Sequence, residues 1–146
     1  MIPVFQTNMS NTAGNCFQAC VASILDLRLE DIPDVPMVDG WLEQLNHDLA
    51  DRGFRFWLLM IKEPEGLENV WKPPGYAILT GKSPRGDWNH AVICLDGEMV
   101  HDPHPDGTGV REPHVDWVFV VPHNPGGTVL PEPRREAAGA IGGSCG

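Results

Sequence analysis

Cys16 heads the run Gly14-Asn15-Cys16-Phe17-Gln18-Ala19-Cys20-Val21-Ala22-Ser23-Ile24-Leu25, where a small-residue turn gives way to helical apolar spacing. A thiol in the first turn of a helix meets the positive end of the helix dipole and unpaired backbone N–H groups. Both favour an anionic sulfur, the form that attacks electrophiles. Further along, His90 leads Ala91-Val92-Ile93-Cys94-Leu95, and Asp102 closes Glu98-Met99-Val100-His101-Asp102-Pro103. An imidazole beside the thiol would take its proton and later return it to a leaving group. A carboxylate on the far imidazole nitrogen would fix the tautomer and stabilise the imidazolium. Cys16, His90 and Asp102 are therefore the expected catalytic set of a thiol enzyme working through an acyl-thioester. The oxyanion of that step needs donors. The Cys16 N–H is one, and a side-chain amide from Gln6 is the expected second, with Asn15 and Gln18 as alternatives.

Strand pairing decides whether Asp102 can reach His90. If Asp96-Gly97 is a two-residue turn, the register sets Val92 opposite His101, and His101 rather than Asp102 accompanies His90. A three-residue turn, Asp96-Gly97-Glu98, shifts the register by one and sets Val92 opposite Asp102. Asp-Gly suits both turns. The triad requires the longer one.

The elements that would carry these residues follow from periodicity. Val4 to Thr7 reads as extended, and Asn15 is the expected N-cap of a helix from Cys16 to Leu27, with Val21, Ile24 and Leu25 on its apolar side. Asp31-Ile32-Pro33-Asp34-Val35-Pro36 breaks regular structure. Trp41, Leu42, Leu45 and Leu49 then recur at helical spacing over 40–52, and Gly53 is the stop. From Phe54 the period changes to two, through Phe56, Leu58 and Met60. A Pro- and Gly-containing loop covers 63–75, and strands are expected at 76–80, 90–95, 99–101 and 117–121. Helices first and an antiparallel sheet afterwards make an α+β domain over 1–121. The Pro-, Gly- and Ala-rich remainder, 122–146, reads as a loosely ordered tail.

Composition narrows the functions available. The 146 residues suffice for one core, and the net charge of −10 repels phosphate, so no nucleic-acid partner is expected. A basic peptide substrate is compatible with that charge. There is neither a membrane-length apolar run nor a secretory leader, so no membrane partner and a cytoplasmic location are expected. The four cysteines, Cys16, Cys20, Cys94 and Cys145, form no CxxC pair and indicate no disulfide framework. His101, Asp102, His104 and Asp106, with His90 or His114 added, would offer metal ligands, but Pro103 and Pro105 stiffen that loop. No metal and no cofactor are expected. A turn-rich loop at the mouth of a cleft is expected instead, with Trp41 and Trp88 as its candidate walls.

These residues resemble the papain-like cysteine peptidases, and among them the double-glycine leader peptidase group with its small bacterial and phage relatives. The matching positions are Gln6, Cys16 in GNCFQACVASIL, His90 in HAVICL and Asp102 in MVHDPHPDG, over roughly residues 3 to 121. The resemblance implies N-terminal helices packed on a small antiparallel sheet, and thiol hydrolysis of a peptide or isopeptide bond in a peptide or protein substrate. It also draws notice to Gly126-Gly127 and Gly142-Gly143, since relatives cut after such pairs. The chain departs from the family pattern in the long gap between Gln6 and Cys16, and in Asn15-Cys16-Phe17 where Asp-Cys-Gly is usual. Two other outcomes share the same residues: transglutaminase-like acyl transfer to an amine, and a peptide-binding module without turnover.

Overall fold

A computed structural model describes residues 1–10, 14–36 and 38–123. Two α-helices, α1 (Cys16–Ile24) and α2 (Trp41–Asp51), precede five strands: β1 (Phe56–Ile61), β2 (Tyr76–Lys82), β3 (Asn89–Leu95), β4 (Glu98–His101) and β5 (Arg111–Pro122). All pair antiparallel in the order β1-β5-β2-β3-β4, so the domain is α+β. No helix among the described residues is long and apolar enough to cross a membrane. The chain beyond His123, with both Gly-Gly pairs and Cys145, lies outside the described residues.

One face of the sheet packs on the helices. Phe17, Val21 and Ile24 of α1 and Leu45 and Leu49 of α2 close over Leu58, Ile78, Ala91, Ile93, Val118 and Val120. The other face carries Ala77, Leu79, Val92, Cys94 and Trp117, covered by Trp71 from the loop between β1 and β2. Glu63 ties that loop down: its Oε1 accepts from Trp117 Nε1 at 3.0 Å and meets His114 Nδ1 at 2.6 Å. On the edge strand β1, Asn46 of α2 takes both backbone groups of Leu58, accepting from its N–H at 2.8 Å and donating to its C=O at 3.0 Å. An open edge is thereby covered rather than left to pair with another chain.

The elements depart from the sequence expectation in instructive places. α1 ends at Ile24 rather than Leu27, because Asp26 turns into the left-handed region at φ 55° and the Leu27 N–H returns to Ala22 C=O. α2 closes as expected at Gly53 (φ 92°), with Gly53 N–H on Ala50 C=O and Phe54 N–H on Leu49 C=O, a Schellman motif. β5 begins at Arg111 instead of Trp117, its early part following β2 through two register shifts. It also runs past the expected domain edge at residue 121, since Pro122 pairs with Phe56.

The β3–β4 hairpin corrects one requirement and keeps its consequence. Asp96 and Gly97 both have positive φ, 51° and 83°, and Leu95 pairs with Glu98, so the turn is the two-residue type I′ form. The expected three-residue turn is absent. A bulge then leaves Val100 unpaired, so that Cys94 faces Met99 but Ile93 faces His101. Beyond the bulge the register is the one the longer turn would have set, and Asp102 arrives within hydrogen-bond reach of His90.

Candidate active site

Cys16 occupies the first position of α1, with Asn15 before it. The Asn15 side chain does not cap the helix. Its Oδ1 accepts from the N–H groups of Thr7 and Asn8, each at 3.0 Å, and its Nδ2 donates to Thr7 Oγ1 at 2.9 Å. Asn15 thus holds the N-terminal segment instead, and α1 has neither a side-chain cap nor an acidic residue in its first turn. The N–H groups of the first turn are left without a side-chain acceptor.

His90 opens β3 within a residue of its start and is only 3% exposed. Its Nε2 lies 2.7 Å from Asp102 Oδ1. With Nε2 so engaged, Nδ1 is the nitrogen left to face Cys16, which lines the same cavity. Burial drives the His90 pKa down, but the hydrogen bonds and charges of Asp102 and Cys16 outweigh it and hold the ring at about 9, well above 6.5. Burial raises the Asp102 carboxyl in turn. The hydrogen bonds from His90 and from the His104 and Gly109 N–H groups, both at 2.8 Å, leave it below its ordinary value. The pair is therefore an imidazolium against a carboxylate, as an oriented acid–base group requires.

A cavity of about 420 Å³ opens beside Cys16 and His90. Of the three amides considered for the oxyanion, only Gln6 lines it; Gln18 and Asn15 line a separate hollow beside Leu29 and Arg52. Gln6 is placed by long-range backbone bonds. Ile2 N–H reaches Ser23 C=O, Val4 N–H reaches Ser23 Oγ, and Gln6 N–H reaches Pro103 C=O. Its Nε2 donates to Asn8 C=O at 3.0 Å, while its Oε1, buried, has no partner. One N–H of this amide is unspent, on a side chain that lines the cavity.

Trp41 and Trp88 both line the cavity, with Phe17 and Met60. Trp88 is seated by Gly86: a Cβ on Gly86 would fall 1.8 Å from its ring. Gly86→Ala is thus expected to expel the indole from the wall. The KM of a peptide substrate should rise several-fold with kcat nearly unchanged, the pattern for lost uniform binding. Alkylation of Cys16 by iodoacetamide, which is too small to use the wall, should not change. An unaltered KM would show that Trp88 takes no part in binding.

The other singled-out residues disperse. His101 Nε2 bonds Val4 C=O at 2.8 Å, and Asp106 pairs with Arg85 at 2.9 Å. His104 remains at the cavity rim, its ring 6.3 Å from that of His90. Among the described residues, no group of three or more His, Cys, Asp or Glu is arranged to hold a metal ion. Burial pushes the Cys94 thiol up to about 12 and raises Cys20 well above its ordinary range, so both are neutral packing groups. Compared with protein-family models, curated proteins and solved structures, the chain matches none. Sequence reasoning missed Arg85, Gly109 and Asp116. Arg85 bridges the β2–β3 loop to the loop after β4, and Gly109 N–H holds Asp102; nothing local in the sequence marks either contact. Asp116 lines the cavity from β5.

Proposed function

We propose that this chain is a cysteine hydrolase of papain-like architecture that cleaves a peptide or isopeptide amide bond. The observation that carries the reading is one imidazole, His90, hydrogen-bonded to Asp102 at 2.7 Å and sharing a cavity wall with the Cys16 thiol at an uncapped helix N-terminus, close enough for that thiol to raise the imidazole pKa. The Cys16 sulfur attacks the amide carbonyl, forming a C–S bond. The oxyanion is received by the Cys16 N–H and the Gln6 amide. His90 gives its proton to the leaving amine as the C–N bond breaks, leaving an acyl-thioester. Water, deprotonated by His90, then attacks the thioester; the C–S bond breaks, the acid is released, and the Cys16 sulfur and the protonated His90 are restored as a pair. The open cavity with aromatic walls suits a peptide, and no step needs a metal or cofactor.

The test is the pH dependence of Cys16 alkylation by iodoacetamide, read by peptide mass spectrometry in wild type and His90→Ala. Rapid reaction at pH 6, slowed by about tenfold or more in His90→Ala, is expected of a thiolate paired with an imidazolium. Should Cys16 react at pH 6 no faster than the thiols of the unfolded chain, with or without His90, the hydrolase reading fails.

A further inference from the structure

Inward positions of β5 alternate: Val120 and Val118 enter the core between sheet and helices. By the same period the next is Asp116. It pairs with Thr80 of β2, which pairs in turn with Ala91 of β3, so Ala91, Thr80 and Asp116 form one row across three strands. All three line the cavity that holds Cys16 and His90. Adjacent strands lie about 4.8 Å apart, which sets Asp116 about 10 Å across the cleft floor from the strand of His90.

The Asp116 backbone is fixed, its N–H on Thr80 Oγ1 at 3.0 Å and its C=O accepting from that hydroxyl at 3.3 Å. Its carboxylate has no ion pair among the described residues: Arg85 is held by Asp106 and Lys82 by Asp87. Arg111 donates to the C=O groups of Ser83 and Gly86. Burial raises the Asp116 carboxyl, with Lys62 pulling weakly the other way. A half-buried carboxylate without a partner costs stability where an apolar residue would continue the core. Its position in the cleft supplies a reason for keeping it. Met60 and Val115 beside it offer apolar surface along which an aliphatic stem can lie.

We propose that Asp116 selects substrates carrying a lysine or arginine side chain close to the amide that Cys16 attacks. The inference rests on the hydrolase reading of the cleft and names its substrate class. A residue next to the scissile bond begins about 3.4 Å from it, and a long cationic side chain spans the rest of the way to the carboxylate.

The probes are four peptide chloromethyl ketones: acetyl-Ala-Lys, acetyl-Ala-norleucine, acetyl-Lys-Ala and acetyl-norleucine-Ala. Labelling of Cys16 is followed by peptide mass spectrometry, which separates it from Cys145. In wild type, at least one lysine reagent should react about tenfold faster than its norleucine partner, the scale of one charge-assisted contact. In Asp116→Asn that ratio should collapse towards one, while the norleucine rates stay near wild type. Equal rates for both partners in wild type, or a lysine advantage that survives in Asp116→Asn, would overturn the assignment. If no reagent labels Cys16 faster than an unfolded thiol, the hydrolase reading is what has failed. Asp116 is then read from equilibrium binding of the corresponding peptide carboxamides, by tryptophan fluorescence. Tighter binding of a lysine peptide, abolished in Asp116→Asn, sustains the assignment, and equal binding overturns it.

Discussion

In a Cys145→Ser background, replacing Cys16 with alanine is expected to remove all acylation by an activated ester, and His90→Gln to slow it by about 10²–10⁴-fold, the usual worth of a positioned proton-transfer group. Acetylglycine p-nitrophenyl ester is a suitable probe, with the acyl-enzyme read by intact mass. Residual acylation in Cys16→Ala is not expected from Cys20 or Cys94, whose buried thiols are held in the neutral form. The two residues act as a unit, so the double variant should be no slower than Cys16→Ala. Ester and amide substrates separate the two duties of His90. p-Nitrophenolate leaves without a proton, whereas an amine does not. Turnover of a peptide amide should therefore fall as pH rises through about 9, where His90 loses its proton, while ester acylation should show no such loss. An ester burst that persists in Cys16→Ala, or His90→Gln acylating at the wild-type rate, would rule out the pair as the reacting groups.

How much of this was legible in the chain depends on how far each placement relies on local signals. α1 is readable because Val21 and Ile24 repeat at helical spacing after a polar turn, and that alone sets Cys16 at a helix start. Its early end is not readable, since the left-handed turn at Asp26 carries no glycine to mark it. The partnership of His90 and Asp102 was legible only as one of two registers. Asp96-Gly97 chose the short turn and the bulge at Val100 restored the long-turn register; Glu98-Met99-Val100-His101 contains neither Gly nor Pro to announce a bulge. Gln6 stands out from Asn15 and Gln18 only once Pro103 and Ser23 fix the N-terminal segment, through contacts distant in sequence. Asp116 was hidden for a related reason. The strand expected from the sequence starts only at Trp117, and only its extension back to Arg111 shows that Asp116 shares the inward period of Val118 and Val120.

Asp102→Ala should destabilise the domain by about 3–5 kcal/mol at pH 7, the cost of stripping one partner from a buried ion pair. Three donors converge on this carboxylate: His90 Nε2, His104 N–H and Gly109 N–H. Alanine leaves all three without their acceptor, in a place where Asp102 is 6% exposed and water cannot readily substitute. Urea denaturation of wild type and variant measures the loss, and a difference below about 1 kcal/mol would mean that the pair is not buried as described. The pH profile identifies the same interaction independently. Asp102 is held below its ordinary pKa, so its contribution is present above the unfolded value of about 3.9 and fades as pH falls through the folded one. His90 is held at about 9, so its contribution is full below 6.5 and is lost as pH rises to about 9. Across that interval the folded state keeps a proton that the unfolded chain has released, so stability falls by up to about 1.4 kcal/mol per pH unit. Asp102→Asn keeps the shape of the side chain but removes the charge that retains the proton. Most of the fall between pH 6.5 and 9 should vanish in it, leaving the part owed to Cys16. A decline as steep as that of wild type would show that the imidazolium is held by something other than Asp102, and the orienting role would pass to that group.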